Sequence, residues 1–99
     1  GYPEYVATTE LLLPVVEGEQ HQVMERVQQH LDLLGDAKLI KIDGVRAEFE
    51  DGWGLIRAST VDPALSFRFE ADTDQSLERI QEVYRGLLAA AAPNLTLPF

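Results

Sequence analysis

Four short runs of strand-forming residues separated by turn signals constrain this fold more than any other feature of the sequence. Asp43-Gly44, between the first two runs, is typical of a tight β-hairpin, and a second turn follows at residues 50–52. In the last run Leu65, Phe67 and Phe69 alternate with polar residues, as in a strand that is buried on one face. The four predicted strands are 38–42, 45–49, 53–59 and 64–70.

Helical patterns lie on both sides of these strands. An initial strand at 8–16, in which Pro14 indicates an edge position or a bulge, leads into a helix that is predicted to run to about Leu34 and stop at Gly35. The last helix is predicted to be capped by Asp72 or Thr73 and to end before position 93; the tail 94–99 has no period of its own. The order β-α-β-β-β-β-α predicts one α+β domain over 1–99, an antiparallel sheet with two helices on one face.

The charge balance of the chain excludes several classes of partner. Its 99 residues carry 17 acidic and eight basic side chains, a net charge of −9, so no basic stripe for nucleic acid or an anionic membrane can form. The chain has no cysteine, which excludes disulfides and thiolate chemistry. The longest apolar run, at 11–16, is too short to span a bilayer, and the expected location is the cytoplasm.

The segment that points most directly to a chemical function is residues 52–63. A strand-like run ends in Arg57, followed by the hydroxyls of Ser59 and Thr60 and a turn closed by Pro63. A guanidinium can bind a phosphate through parallel charge-assisted hydrogen bonds, and a hydroxyl with the amides of a tight turn adds donors. The alternatives are that Arg57 is a surface residue paired with a carboxylate, and that Ser59 and Thr60 hydrogen-bond their own turn.

Other polar and aromatic residues are more simply explained as structural. We expect Trp53 to be a packed aromatic beside a glycine turn and Arg68 to be solvated opposite the phenylalanines of its strand. His21 and His30 lie too far apart on the first predicted helix to share a ligand face, so both are expected to be exposed. No metal site and no catalytic constellation is predicted in this chain.

Several motifs, in order and at matching spacing, resemble the C-terminal domain of the bacterial phosphomannomutase/phosphoglucomutase enzymes of the alpha-D-phosphohexomutase superfamily. The resemblance is close from about Asp43 to Phe99, whereas 1–42 fits the opening strand and helix in pattern only. The matching segments are Asp43-Gly44-Val45-Arg46, Gly52-Trp53-Gly54-Leu55-Ile56-Arg57-Ala58-Ser59, residues 65–73 and Leu77-Glu78-Arg79-Ile80.

The resemblance implies a role within a larger enzyme. Members of the family interconvert 1-phospho and 6-phospho sugars by way of a phosphoserine and Mg²⁺ held in other domains. The fourth domain, which this chain resembles, binds the substrate phosphate that is not being transferred. It implies Arg57, Ser59 and Thr60 as phosphate-binding residues, a phosphosugar and the other three domains as partners, and neither a catalytic residue nor a cofactor in this domain.

The loop departs from the family pattern at two positions. Thr60 occupies a place where the family has glycine or asparagine, which suggests a left-handed backbone that a β-branched residue adopts poorly. Val61 replaces a threonine and so removes a hydroxyl donor. This departure supports a second hypothesis, a free-standing interaction module that has lost phosphate binding. The expected sheet topology is also similar to that of TATA-binding proteins, but the negative charge excludes binding to nucleic acid by that analogy.

Overall fold

The computed structural model describes residues 5–99, which form one antiparallel sheet with both helices packed on the same face. Strands β4, β5 and β6 lie at the centre, β3 lies at one edge beside β4, and β1 and β2 both pair with β6 at the other edge. The helices are α1 (Glu19–Gln28) and α2 (Asp74–Ala91). The strands are β1 (Val6–Ala7), β2 (Leu11–Pro14), β3 (Lys38–Ile40), β4 (Val45–Phe49), β5 (Gly52–Ala58) and β6 (Ala64–Ala71).

Alternation along the strands separates a buried face from an open face. The core lies between the sheet and the two helices, and Tyr84, Phe67 and Phe69 are its largest side chains. The open face carries polar side chains together with Trp53 and Leu55, because every second residue of a strand points away from the helices. In register across β4, β5 and β6, this face presents Arg46, Leu55 and Arg68, then Glu48, Trp53 and Glu70, then Arg57 and Ser66.

The strand predicted at 8–16 is shorter in the structure, where β2 covers Leu11–Pro14, and a two-residue strand that was not predicted, β1, precedes it. Ala7 pairs with Glu70 and Leu11 with Phe67, so residues 8–10 lie opposite only residues 68 and 69, and one extra residue forms a bulge. Thr8 occupies the break, where its amide donates to the Phe69 carbonyl and its hydroxyl accepts from the Phe69 amide. The edge position expected from Pro14 is confirmed, because β2 pairs with β6 alone.

The first helix and strand β3 both end earlier than predicted. Helix α1 ends at Gln28, since the amides of Gln29 and His30 bond to carbonyls three residues back, and a separate one-turn 3₁₀ helix at Leu31–Leu34 then places Leu34 in the core. Strand β3 ends at Ile40, because the turn to β4 is wider than a two-residue hairpin. Of the two proposed caps for α2 the structure has Thr73, whose hydroxyl accepts from the Ser76 amide at 3.0 Å.

A bidentate ion pair connects the β4–β5 turn to α2. Arg79 donates to both carboxylate oxygens of Asp51 at 2.5 and 2.6 Å. Hydrogen bonds from Arg79 hold the pKa of Asp51 well below its usual range. The Arg79 side chain is 51% exposed and that of Asp51 29%, so solvent screening keeps the contribution of the pair small.

We therefore expect Asp51→Asn to lower the free energy of unfolding by about 0.5–1 kcal/mol at pH 7. Because the folded-state pKa of Asp51 is depressed, its contribution is complete above the unfolded pKa of about 4 and is lost as the pH falls further. Urea denaturation at pH 7, 4 and 2 should show the difference between variant and parent shrinking with acid. Glu50→Gln, at an exposed carboxylate of the same turn, is the control and should have little effect at any pH. A difference that does not depend on pH would contradict the role of the pair.

Candidate functional site

The three residues singled out from the sequence lie together where β5 passes into β6. Arg57 is the penultimate residue of β5, and the connecting residues 59–63 form the β5–β6 loop. The Ser59 amide donates to the Ala64 carbonyl at 2.8 Å and closes the loop at its base. Arg57, Ser59 and Thr60 are thereby presented at one end of the sheet, with the first anchored in a strand and the others in the loop.

The Arg57 side chain is half-exposed, and one nitrogen of its guanidinium is hydrogen-bonded within the protein. Its Nη2 donates to Oε2 of Glu10 at 3.3 Å, and Ser66 Oγ donates to the same oxygen at 2.8 Å. Ser66 is the direct cross-strand neighbour of Arg57, so both donors reach Glu10 from adjacent positions of the open face. Arg57 is therefore paired with a carboxylate, as one of the two interpretations predicted. The pair with Glu10 uses a single nitrogen of the guanidinium.

The backbone of the β3–β4 turn packs directly against Arg57. Asp43 and Gly44 both have positive φ, 56° and 129°, and a Cβ built on Gly44 would lie 2.3 Å from the Ile56 carbonyl oxygen and 2.7 Å from Arg57 Cβ. Only glycine allows this approach and this conformation at position 44. A side chain at position 44 would therefore displace the turn from Arg57.

Within the loop, the Ser59 hydroxyl organises the backbone. Its Oγ accepts from the amides of Val61 and Asp62, both at 3.3 Å, in a serine turn. These bonds are long, and the Ser59 hydroxyl still has its own proton to donate. Ser59 therefore hydrogen-bonds its own turn, as one of the two interpretations predicted. Its hydroxyl proton remains at the surface, where an anion can accept it.

The strain expected at Thr60 is not found. Of the residues other than glycine in the described part of the chain, Asp43 alone has a positive φ, so Thr60 keeps an ordinary backbone. Thr60 and Val61 are both exposed, the latter at 87%, so neither is constrained by packing. Val61 carries no hydroxyl, and Thr60 shows no left-handed backbone.

Two grooves adjoin the loop on the side of α1. The larger, of about 570 Å³, lies between α1, the β3–β4 turn and Arg57, and the smaller, of about 370 Å³, lies beneath residues 58–63. His21 lines both of them, and Lys41 lines the larger. Carboxylates also line these grooves and offset the positive charges of Arg57 and Lys41. These carboxylates are Glu17, Glu25, Asp43 and Asp62.

The residues interpreted as structural behave as expected, with one exception. The indole of Trp53 donates to Glu70 at 2.9 Å and lies under the Arg46 guanidinium, 4.2 Å from the ring centroid. Arg68 is exposed, and so is His21, whereas His30 is half-buried where α1 meets the 3₁₀ turn. The prediction that His30 is exposed was therefore wrong, because helix α1 ends before it and the 3₁₀ helix begins directly after it.

Sequence reasoning missed two residues that lie against Arg57. Gly44 was recognised only as part of a hairpin signal, and its close contact with Arg57 has no signature in the sequence. Glu10 lies 47 residues from Arg57 along the chain. The two residues meet because β2 pairs with β6, a strand distant from it in sequence.

Between residues 5 and 99 no helix combines the length and apolar character needed to cross a membrane. The same residues contain no group of three or more His, Asp or Glu side chains arranged to hold a metal ion. The chemical resources of the site are thus a guanidinium, hydroxyls and backbone amides, which suit binding of an anion.

Comparison with known proteins relates this site to one family. Residues 9–86 match the family model described as phosphoglucomutase/phosphomannomutase, C-terminal domain. The chain is 41% identical over 99 residues to a phosphomannomutase/phosphoglucomutase of Pseudomonas putida, and 41% identical over 97 residues to a phosphoglucomutase of Neisseria meningitidis serogroup B. These alignments cover 100% and 97% of the chain but only 21% of each relative.

A solved structure shows the same arrangement. The crystal structure of a phosphoglucomutase/phosphomannomutase family protein from Burkholderia thailandensis matches with a TM-score of 0.84 at 37% sequence identity. The match covers 98% of this chain and 20% of that protein. The chain thus spans about a fifth of the length of the proteins it resembles.

Proposed function

The chain belongs to the phosphoglucomutase/phosphomannomutase family as its C-terminal domain, and on that premise we propose that it binds the phosphate of a phosphosugar substrate. The site is Arg57 together with Ser59 and Thr60. Bound there, the phosphate that is not transferred would anchor the sugar while chemistry proceeds at its other end. The domain itself supplies no catalytic residue under this proposal.

The observation that carries the proposal is the state of the Arg57 guanidinium. The Arg57 side chain is 48% exposed, and Glu10 contacts only Nη2 of the guanidinium, so the remaining N–H groups face no acceptor within residues 5–99. A phosphate is the ligand best suited to a planar guanidinium, because it can accept parallel hydrogen bonds from two nitrogens. The loop begins two residues after Arg57, and its Ser59 hydroxyl and backbone amides can donate further hydrogen bonds to the phosphate.

Under this proposal the other steps of the reaction take place in other domains of a larger enzyme. We propose that the parent interconverts 1-phospho and 6-phospho sugars in the cytoplasm, and that its other three domains carry the phosphoserine and the Mg²⁺. Because the chain as a whole is negatively charged, it repels phosphate except near a local positive charge. Under this proposal Arg57 supplies that charge at this end of the sheet.

Titration of the ¹⁵N-labelled chain with glucose 1-phosphate, followed by NMR, tests the proposal. We expect amide shifts confined to residues 57–62, with a dissociation constant of about 1 mM because one phosphate in an open loop gains only about 4 kcal/mol. Glucose without phosphate should cause none of these shifts. Arg57→Ala should weaken binding at least about tenfold, since a charge-assisted hydrogen bond contributes about 1.5–3 kcal/mol.

Arg68→Ala is the matched control for that variant. Arg68 is also an exposed arginine on the open face, opposite Leu55 in the neighbouring strand, but it lies outside the loop. It removes the same charge from the protein and should leave the affinity within about twofold of the parent. Equal losses in both variants would show a non-specific charge effect. No shift at tens of millimolar would reject phosphate binding and favour an interaction module.

A further inference from the structure

A carboxylate from the edge of the sheet beside β6 contacts the side chain of Arg57. Glu10 lies in the bulged segment between β1 and β2, and its Oε2 accepts from both Ser66 Oγ at 2.8 Å and Arg57 Nη2 at 3.3 Å. Since Ser66 pairs directly with Arg57, the three groups form a compact triangle at the ends of β5 and β6. The connection joins the beginning of the described chain to two consecutive strands that follow 47 and 56 residues later.

We propose that Glu10 is a positioning residue for phosphate binding, which fixes the Arg57 guanidinium before the phosphate arrives. The inference rests on the proposed function of Arg57. An exposed arginine has many rotamers, and the entropy lost when a ligand immobilises it reduces affinity. A side chain that is already held against Glu10 has lost much of that freedom in the unliganded protein.

The hydrogen bonds around Glu10 favour positioning over competition with the phosphate. Glu10 occupies one nitrogen of the guanidinium and leaves the others for a ligand. Its carboxylate is in turn fixed by Ser66, which belongs to a central strand. The hydrogen bond from Ser66, and then that from Arg57, hold the pKa of Glu10 below its usual range, so the carboxylate is charged at neutral pH.

Two variants with the same net charge separate positioning from electrostatics. Glu10→Gln keeps an oxygen that can accept from Ser66 and Arg57, whereas Glu10→Ala removes the acceptor. Both remove one negative charge, so any general change in attraction for phosphate is the same in each. We expect Glu10→Ala to bind glucose 1-phosphate about three- to tenfold more weakly than Glu10→Gln.

A second measurement needs no ligand. The ¹⁵N relaxation of the Arg57 Nε–H group reports how freely the guanidinium moves, and we expect faster motion in Glu10→Ala than in Glu10→Gln. Thermal unfolding and backbone amide spectra of both variants show that the fold is intact, as the exposure of Glu10 leads us to expect.

The outcomes distinguish this inference from the proposed function. Equal affinities of the two variants with equal Arg57 mobility would overturn the positioning role, whatever their relation to the parent. If the parent chain itself does not bind glucose 1-phosphate, the proposed function fails, and the relaxation comparison then decides whether Glu10 restrains Arg57. Weaker binding and a more mobile Arg57 in Glu10→Ala than in Glu10→Gln would support both the positioning role of Glu10 and the proposed function.

Discussion

Replacing Gly54 by alanine is expected to destabilise the protein by about 2–3 kcal/mol, because the new methyl group has no space. A Cβ at this position in β5 would lie 2.4 Å from Cε2 of Tyr84 and 3.0 Å from Cδ1 of Phe69. Tyr84 cannot move away easily, since its buried hydroxyl is within hydrogen-bonding distance of the carbonyls of Gly54, at 2.8 Å, and Val45, at 3.1 Å. Chemical denaturation monitored by tryptophan fluorescence measures the loss.

The same substitution at Gly86 provides the control. Gly86 lies within α2, where a Cβ would meet nothing within 4 Å, so alanine there should stabilise the protein by about 0.5–1 kcal/mol through its higher helix propensity. The opposite signs follow from the packing at each position. The explanation would be wrong if Gly54→Ala had the stability of the parent, or if combining it with Tyr84→Leu gave strictly additive losses.

Replacing Phe99 by alanine is the second large effect, with an expected loss of about 2–3 kcal/mol. The ring packs edge-on against Phe67 and Phe69, with centroid distances of 5.0 and 4.8 Å, and the Arg85 guanidinium lies 5.7 Å from its centroid. Alanine would remove these contacts and expose the edges of two core rings to water. Thermal and urea denaturation of the variant measure the loss.

Phe99→Leu and Thr96→Ala locate the origin of this effect. Leucine keeps most of the apolar area but not the aromatic geometry, so about half of the loss should be recovered. Thr96 is an exposed residue of the same tail, and its replacement should change stability by less than about 0.5 kcal/mol. Similar losses for Phe99→Ala and Thr96→Ala would show that the aromatic contacts contribute little.

Local patterns were sufficient to predict most of the fold. The hairpin signal at Asp43-Gly44, the alternation in β6 and the apolar stripe of α2 each reflect interactions between residues close in sequence. These elements, in this order, confirm the predicted antiparallel α+β domain. The tail 94–99 has no period because it adopts no regular structure, yet Leu95, Leu97 and Phe99 pack against the core.

The limits of sequence reasoning are set by contacts between distant segments. The bulge at residues 8–10 exists only because β1 and β2 pair with the same strand, which nothing local specifies. Arg57, Ser59 and Thr60 could be found together because they are neighbours in one loop. Glu10 could not, because its contacts with Arg57 and Ser66 follow from strand order rather than from any motif.

The pairing of β2 with β6 also has a consequence for the order of folding during synthesis. Leu11 of β2 pairs with Phe67, so β2 has no partner until the ribosome has added more than half of the chain. At about 5–20 residues per second this wait lasts several seconds, long enough for the β3–β4 and β4–β5 hairpins to form first. Contacts this distant in sequence also slow the folding of a complete chain. The environment of Arg57 is therefore expected to be assembled late, when the earliest and latest strands of the sheet meet.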